Sequence, residues 1–324
     1  MKALRILATI AAFVAAPVAP RAQSDVYPSR PVNVIVPSTP GSGMEIQARL
    51  IGEVLRERGG QPFVIEPRPG AIGVIGATAV FRAKPDGYTL LATPNSPIVF
   101  NQLTHKSLGY EPEKFTPVAL MSRQPLVMAT RGNFPANTLQ ELIDYAKANP
   151  GKINYGSQGI GGGNHLSVLL LEKHTGTHMV HVPFNGAGPA TQAMLQGDTD
   201  LFMAPLAEIL PFYRDGKLKI LAVGTEQRSP YAPDVPTFRE LGYPPEFILT
   251  VWYALVGPPD MPPSISKWLN VNINAALRNE LVRDRIGLTG AEPGNLDEAA
   301  LAAFFARVRA VWEKVATENN IQKQ

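Results

Sequence analysis

Two glycine-rich stretches of the chain have the composition of anion-binding loops. The first, Pro37–Glu45, reads Pro-Ser-Thr-Pro-Gly-Ser-Gly-Met-Glu, and the second, Gly156–Asn164, reads Gly-Ser-Gln-Gly-Ile-Gly-Gly-Gly-Asn. Glycines let a backbone approach a ligand closely and adopt positive φ. Where such a loop opens a helix, its free N–H groups lie at the positive end of that helix and favour an anion. The two loops therefore suggest two half-sites around one anionic ligand.

The second loop does not match the known nucleotide-binding loops. It lacks the Lys-Ser/Thr pair of a P-loop, and Asn164 occupies the third glycine position of the dinucleotide fingerprint. An ordinary strand-to-helix connection is the simpler alternative for one such loop. The presence of a second loop of the same kind favours a binding site.

Each loop lies between a predicted strand and a predicted helix. Residues 32–36 and 153–155 are β-like runs, and apolar helical patterns follow at 44–58 and from Asn164 onward, where Asn164 is the expected N-cap residue. The rest of the chain alternates in the same way, which predicts an α/β fold with a largely parallel sheet and flanking helices. Further strands are predicted at 63–66, 88–92, 118–121, 126–130, 179–182, 201–203, 218–223 and 251–256. Further helices are predicted at 74–83, 138–146, 189–196, 207–215, 237–240, 264–277, 279–286 and 296–318.

The order of these elements predicts two domains. The two strands at 118–121 and 126–130 mark the point where the chain crosses to a second domain, and the strand at 251–256 returns it to the first. We expect a first domain at 23–127, a second domain at 128–250, and a return to the first domain with C-terminal helices at 251–324. Two linkers of this kind act as hinges that let a cleft close on a ligand.

The N-terminus has the pattern of a cleaved signal peptide. Lys2 and Arg5 precede an apolar run at 6–16 that is too short to span a bilayer, and small residues lead to Ala22. We expect residues 1–22 to be removed, with an uncleaved anchor as the alternative. Because the chain has no cysteine, it has no disulfide, thiolate metal site or lipid-modified cysteine. We therefore expect a soluble exported protein that is located in the periplasm of a Gram-negative cell.

Composition also excludes several partners. Removing three basic residues with the signal peptide brings the formal charge of +3 to zero, and the chain has no basic tract, so nucleic acid is excluded.

His174, His178 and His181 have a spacing that superficially suits zinc, but a helix end at Thr175-Gly176 and opposite strand faces argue against a metal site. Neither Ser42 nor Ser157 lies in a Gly-x-Ser-x-Gly sequence, so we expect no enzyme and no cofactor.

Many short motifs resemble one family, the Bug or TctC-like periplasmic solute-binding proteins of tripartite tricarboxylate transporters. The resemblance covers residues 27 to about 321 and includes these motifs: Tyr27-Pro-Ser-Arg-Pro31, the Pro37–Glu45 loop, Glu66-Pro-Arg-Pro-Gly70, Pro85-Asp-Gly-Tyr-Thr-Leu90, Pro150-Gly-Lys-Ile-Asn-Tyr-Gly-Ser157, His165-Leu166, His181-Val-Pro-Phe184, Arg228-Ser-Pro230 and Pro233-Asp-Val-Pro-Thr237. It implies a two-domain periplasmic-binding-protein fold of type II-like form. It also implies a ligand cleft between the domains, a carboxylate ligand and an inner-membrane permease as partner.

In that family, the two glycine loops hold a carboxylate by backbone N–H groups and small hydroxyls. The resemblance makes these residues the ligand-binding candidates in the first loop: Ser38, Thr39, Gly41, Ser42, Gly43 and Met44. It makes these the candidates in the second loop: Ser157, Gly159, Gly161, Gly162, Gly163, Asn164 and His165. Strand ends add Thr93, Asn95, Ser96, Phe184, Asn185 and Ala204. His165 either orders its loop or contacts the ligand, and the strand-end residues are alternatively ordinary polar loops.

The sequence departs from the family pattern within the expected cleft. Met44-Glu45 replaces a hydroxyl residue and an aspartate, and Gly162, Asn185 and Ala204-Pro205 replace a serine, a lysine and an Asp-Asn-like pair. Because each change removes a polar group, we expect a ligand less polar than citrate or aspartate, such as an aromatic or longer aliphatic carboxylate. We expect a monomer. A ligand sensor for a signalling protein and a periplasmic hydrolase are the alternative functions.

Overall fold

One mixed sheet of ten strands forms the centre of the computed structural model, which describes residues 27–288, 290–318 and 323. The strands are β1 Val32–Val36, β2 Phe63–Pro67, β3 Thr89–Pro94, β4 Thr116–Arg131, β5 Asn154–Ser157, β6 Val180–Pro183, β7 Leu201–Pro205, β8 Leu218–Val223, β9 Thr250–Gly257 and β10 Glu292–Pro293. The helices are α1 Gly43–Gly59, α2 Val74–Phe81, α3 Asn101–Thr104, α4 Leu139–Ala148, α5 Gly163–Thr175, α6 Ala187–Gln196, α7 Leu206–Arg214, α8 Pro263–Arg278, α9 Glu280–Gly287 and α10 Glu298–Glu318. The predicted α/β fold is confirmed. The signal peptide predicted at 1–22 lies outside the described residues.

The long strand β4 joins the two halves of the sheet. Its residues 116–125 pair with β9, and its residues 126–131 pair with β7 and β8. The prediction of two separate strands at 118–121 and 126–130 is therefore wrong. The intervening residues stay extended because Ser122–Pro125 pair with Thr250–Tyr253 of β9.

Three other local predictions are wrong. Helix α5 begins at Gly163 with Gly162 as its N-cap residue, because the Asn164 amide instead donates to the carbonyl oxygen of Met203. The strand predicted at 88–92 continues to Pro94 and is followed by a π-helical turn, Ser96–Phe100. Thr237 and Glu240 make the contacts of a capping box, but only a turn follows, because Gly242 adopts φ 84° and two prolines come next.

Three buried clusters form the core. One packs α1, α8 and α9 on the first half of the sheet, and another packs α6 and α7 on the second half. The third contains residues of both halves, including Leu91 and Leu166, and it receives the apolar face of α10. Trp252 of β9 stacks on Phe305 of α10 at 5.0 Å between ring centroids. The helix predicted at 296–318 is therefore confirmed as α10, and it forms part of the core.

Candidate functional site

The carboxyl ends of the parallel strands in both halves converge on the middle of β4. Pro94, at the end of β3, lies opposite Tyr253 of β9, which in turn lies opposite Ser122 of β4. Pro205, at the end of β7, lies opposite Leu126 of β4. The ends of β3 and β7 are therefore aligned with two positions of β4 that lie about 13 Å apart along that strand. The loops that follow β1 and β3 therefore face those that follow β5 and β7, in the position where α/β proteins bind ligands.

The first loop is closed by a carboxylate of its own helix. Ser42 is the N-cap residue of α1, and its hydroxyl accepts a hydrogen bond from the Glu45 N–H at 3.3 Å and lies 2.6 Å from the Ser38 hydroxyl. Glu45 Oε2 accepts from the Gly41 N–H at 2.6 Å, and Arg49 pairs with the other carboxylate oxygen. The Gly41 hydrogen bond and Arg49 hold the pKa of Glu45 below its usual range. The positive end of α1 is therefore already neutralised.

The second loop leaves the start of its helix open. Gly162 supplies no side-chain cap, and the first turn of α5 has no acidic residue. In the described part of the chain, the N–H groups of Gly163, Asn164 and His165 have no backbone acceptor, as expected for the first turn of a helix. Three amides earlier in the loop are already bonded. The Gly159 N–H donates to the Ser157 hydroxyl, the Gly161 N–H to His165 Nδ1 at 3.1 Å, and the Gly162 N–H to the Gly159 carbonyl oxygen at 3.3 Å. The three open amides of the first turn form the stronger anion site of the two loops.

Three stacked rings support the second loop. Between ring centroids, His165 lies 4.0 Å from His181, and Tyr155 lies 4.9 Å from His181 and 6.3 Å from His165. Burial and the neighbouring His181 lower the pKa of His165 to about 4, and burial lowers the pKa of His181. Both rings are therefore neutral at pH 7, so His165 Nδ1 remains an acceptor for the loop amide. This geometry supports the loop-ordering role among the two roles expected for His165.

Ser157 and His181 form a close pair that orders the loop. The Ser157 hydroxyl lies 2.6 Å from His181 Nε2, a distance typical of a nucleophile and its base. However, Ser157 is fully buried, and its hydroxyl also accepts from the Gly159 N–H at 3.0 Å and lies 3.1 Å from the Gly159 carbonyl oxygen. Within the described residues, no carboxylate contacts His181. The pair therefore fixes the turn that begins the second loop.

Segments from the first half of the sheet contact the second loop directly. A Cβ added at Gly159 would lie 3.3 Å from Ile72 Cδ1, and Cβ atoms added at Gly161 and Gly163 would overlap Thr104 and Phe100. Ile72 itself has φ 50°, a conformation that is strained for a β-branched residue. The two sides of the cleft therefore meet at this edge, where larger side chains in the loop would not fit.

A row of mostly buried polar side chains lies where β4 passes between the two halves of the sheet, and sequence reasoning missed it. Ser122 Oγ donates to Gln47 Oε1 of α1 at 2.6 Å, and Gln124 Nε2 donates to the Tyr253 hydroxyl at 3.0 Å. Glu208, in the first turn of α7, interacts electrostatically with Tyr253. The available sequence signal was the presence of polar residues inside otherwise apolar strands.

The structure uses several predicted ligand-binding residues for internal contacts instead. Met44 and Ala204 are buried in the two separate core clusters, Thr93 donates to the Pro94 carbonyl oxygen, and Asn95 is buried with its amide directed to the Thr250 carbonyl oxygen. Residues that keep some solvent exposure at the facing edges are Ser38, Thr39, Gly41, Ser42, Gly43, Ser96, Gly159, Gly163, His165, Phe184 and Asn185.

The histidines considered for a metal site have different neighbours. His174 packs on Tyr243 and Phe247, His178 lies 3.7 Å from a carboxylate oxygen of Glu172, and His181 stacks on His165. The described residues contain no group of three side chains suited to a metal ion.

Comparisons with known proteins give one consistent result. Residues 47–321 match the family described as tripartite tricarboxylate transporter family receptor. The protein BugT of Bordetella pertussis is 34% identical over 321 residues, 98% of each chain.

Two solved structures with bound acids are similar along nearly the whole chain. R. palustris Rpa4515 with adipate has a TM-score of 0.86 and 31% identity, covering 92% of this chain and 100% of that one. MatC from Rhodopseudomonas palustris with bound malate has a TM-score of 0.83 and 34% identity, covering 90% of this chain and 100% of that one. The extent of the family match and the identity to BugT show that this chain belongs to the tripartite tricarboxylate transporter receptor family.

Proposed function

We propose that the protein is a periplasmic solute-binding protein that captures a small organic acid and presents it to a tripartite tricarboxylate-type permease in the inner membrane. The described residues within 23–127 and 251–324 form one lobe, and residues 128–250 form the other. The ligand lies between the lobes, at the facing carboxyl ends of the strands. Relatives with bound adipate and malate support a carboxylate ligand.

The open start of α5 is the observation that carries this proposal. Its first-turn N–H groups are already aligned and replace water around a carboxylate without rearranging. Neither loop contains Arg or Lys, so backbone dipoles and the Ser38 and Ser42 hydroxyls supply most of the polar recognition. Binding involves no covalent change and no cofactor, and the protein acts as a monomer.

A thermal-shift screen tests this function. The mature protein, beginning at Gln23, is heated with organic acids, amino acids and aromatic carboxylates, each at equal ionic strength. A ligand that binds only the folded state adds about 2.7 kcal/mol at a hundred times its Kd, so the cognate acid class raises Tm. Shifts from neutral or purely cationic compounds alone would contradict carboxylate binding. The screen also tests whether aromatic or long aliphatic acids bind more tightly than citrate.

Location and partner require separate measurements. Mass spectrometry of the periplasmic fraction should find an N-terminus at Gln23, and an intact N-terminus in the membrane fraction would contradict cleavage. Among the described residues, no helix has the length and apolarity needed to cross a membrane. A neighbouring permease gene is expected, whereas a neighbouring sensor kinase gene would favour a ligand sensor.

The Ser157–His181 pair makes a hydrolase the alternative that must be tested directly. Turnover of model esters by the purified protein, lost in Ser157→Ala or Ser42→Ala, would establish hydrolysis. We expect no turnover, because the Ser157 hydroxyl is fully buried and bonded within its own loop.

A further inference from the structure

Glu208 is a carboxylate without a cationic partner at the edge of the cleft. It lies in the first turn of α7, three residues after Pro205, which pairs with Leu126 at the point where β4 changes sheet halves. Its side chain is half-buried, and burial raises its pKa. Within the described residues, no hydrogen bond or ion pair joins Glu208 to another group, and α7 has no side-chain cap. A carboxylate partly removed from water and left unpaired costs free energy.

Gln124, two residues before Leu126 on β4, provides a second, independent indication of a missing partner. Its side chain is 3% exposed, and its Nε2 donates to the Tyr253 hydroxyl at 3.0 Å. Its Oε1 is buried and has no hydrogen-bond partner among the described residues. Tyr253 connects the two groups, because its hydroxyl accepts from Gln124 Nε2, and burial and the Glu208 carboxylate both raise its pKa.

A cationic nitrogen satisfies this arrangement better than other ligand groups. An ammonium group has one positive charge and three N–H donors. It pairs its charge with Glu208 and donates to the orphaned Gln124 oxygen and to a lone pair of the Tyr253 hydroxyl. A second carboxylate on the ligand would instead meet the negative charge of Glu208.

We propose that Glu208, Gln124 and Tyr253 form a second ligand subsite that takes an ammonium group, so that the ligand is an amino acid with one carboxylate. The inference rests on the proposed function, because the carboxylate of this ligand binds at the open start of α5. Glu208 then determines specificity by excluding dicarboxylates.

Calorimetric titration with matched ligands tests this subsite. For chains of about three to six carbons, each ω-amino acid is compared with the monocarboxylate and the dicarboxylate of the same length, and the common α-amino acids are added. The wild-type protein should bind an amino acid about tenfold or more tightly than its matched acids, because a partly desolvated charge pair contributes at least this much. Glu208→Gln keeps the side-chain shape and removes the charge. This variant should lose that preference, gain affinity for the dicarboxylate and leave the monocarboxylate unchanged.

Asp215→Asn is the matched control, because Asp215 is exposed at the opposite end of the same helix and its substitution changes the net charge equally. It should leave all three affinities unchanged. A wild-type preference for dicarboxylates that persists in Glu208→Gln would overturn the subsite while leaving the proposed function intact. Tighter wild-type binding of the monocarboxylate than of the amino acid, unchanged in Glu208→Gln, would also overturn the subsite and leave the proposed function intact. A folded protein that binds no carboxylate at all would overturn the proposed function together with the subsite.

Discussion

The two glycine-rich loops share a strand–loop–helix pattern but differ in what occupies the start of the helix. In the first loop, Glu45 bonds the Gly41 amide and neutralises the positive end of α1. In the second loop, Gly162 provides no capping side chain, and the first turn of α5 is free of acidic residues. The first loop therefore has a carboxylate at the start of its helix, whereas the second has none and leaves its three first-turn amides without an acceptor among the described residues.

The difference shows that glycine content alone does not identify an anion site. A glycine loop suits an anionic ligand better when no carboxylate of its own lies at the start of its helix. In the first loop Glu45 supplies such a carboxylate, although the Gly43 and Met44 N–H groups have no acceptor among the described residues. We therefore assign the ligand carboxylate chiefly to the second loop. The first loop contributes the Ser38 and Ser42 hydroxyls, which lie 2.6 Å apart.

Adding a capping carboxylate to the second loop should have the largest effect on ligand affinity. Gly162 has φ −71° and ψ 160°, which any residue adopts, and an added Cβ would contact only the Gly159 carbonyl oxygen at 3.4 Å. In Gly162→Asp, the new carboxylate caps α5 and repels the ligand. Because opposed like charges cost several kcal/mol, calorimetry should show carboxylate affinity falling about 100-fold or more.

Gly162→Asn is the control for this substitution, because it caps the helix without adding charge. It should weaken binding less than Gly162→Asp does, and both variants should retain or slightly raise the free energy of unfolding, by a few tenths of a kcal/mol. Unchanged affinity in Gly162→Asp would show that the carboxylate does not bind at α5.

Removing the carboxylate charge from the first loop should mainly lower the stability of the fold. Glu45→Gln removes the charge that pairs with Arg49 and caps α1, and urea unfolding should show a loss of about 1 kcal/mol. Carboxylate affinity should stay equal or increase, because a competing negative charge is removed. Glu141→Gln is the matched control, since Glu141 accepts from the Asn137 N–H in an equivalent box at α4. An affinity loss as large as that in Gly162→Asp would contradict the assigned difference between the loops.

The stacked histidines of the second loop predict a smaller, pH-dependent effect. His165 has a pKa of about 4 in the folded protein, compared with about 6.5 when exposed. The unfolded chain therefore binds protons first as pH falls, so the free energy of unfolding should decrease between pH 6.5 and 4. In His165→Gln, which keeps an acceptor for the Gly161 amide, urea unfolding at several pH values should give a shallower decrease. An identical decrease in both proteins would exclude His165 as the source.

Patterns within one element predicted much of the fold, and contacts between elements explain the errors. The strand at 32–36 and the helix at 138–146 follow from local periodicity, and both are confirmed. Asn164 is a good N-cap residue in isolation, but its amide reaches Met203 on β7, so α5 begins earlier. Ser42-x-x-Glu45 has the same capping pattern as Thr138-x-x-Glu141, so the sequence contained the signal that the first loop is closed.

The base of the candidate site could not be predicted in this way. Gln124 becomes a cleft residue only because β4 continues through Pro125 and pairs with β9. Glu208 is brought towards this segment of β4 because β7 ends opposite Leu126. Both relations depend on strand register between distant segments, which a single sequence does not reveal.

The continuity of β4 also restricts how this protein can change in length. Side chains alternate between faces along a strand, so inserting or deleting one residue between Gln124 and Leu126 would rotate every later side chain of β4 to the opposite face. Val127 and Ala129 belong to one core cluster of the second half, whereas Leu126 and Met128 belong to another. Such a change would exchange these two sets while leaving the first half in register. We therefore expect length variation among homologous chains to avoid this segment and to accumulate in the surface connections.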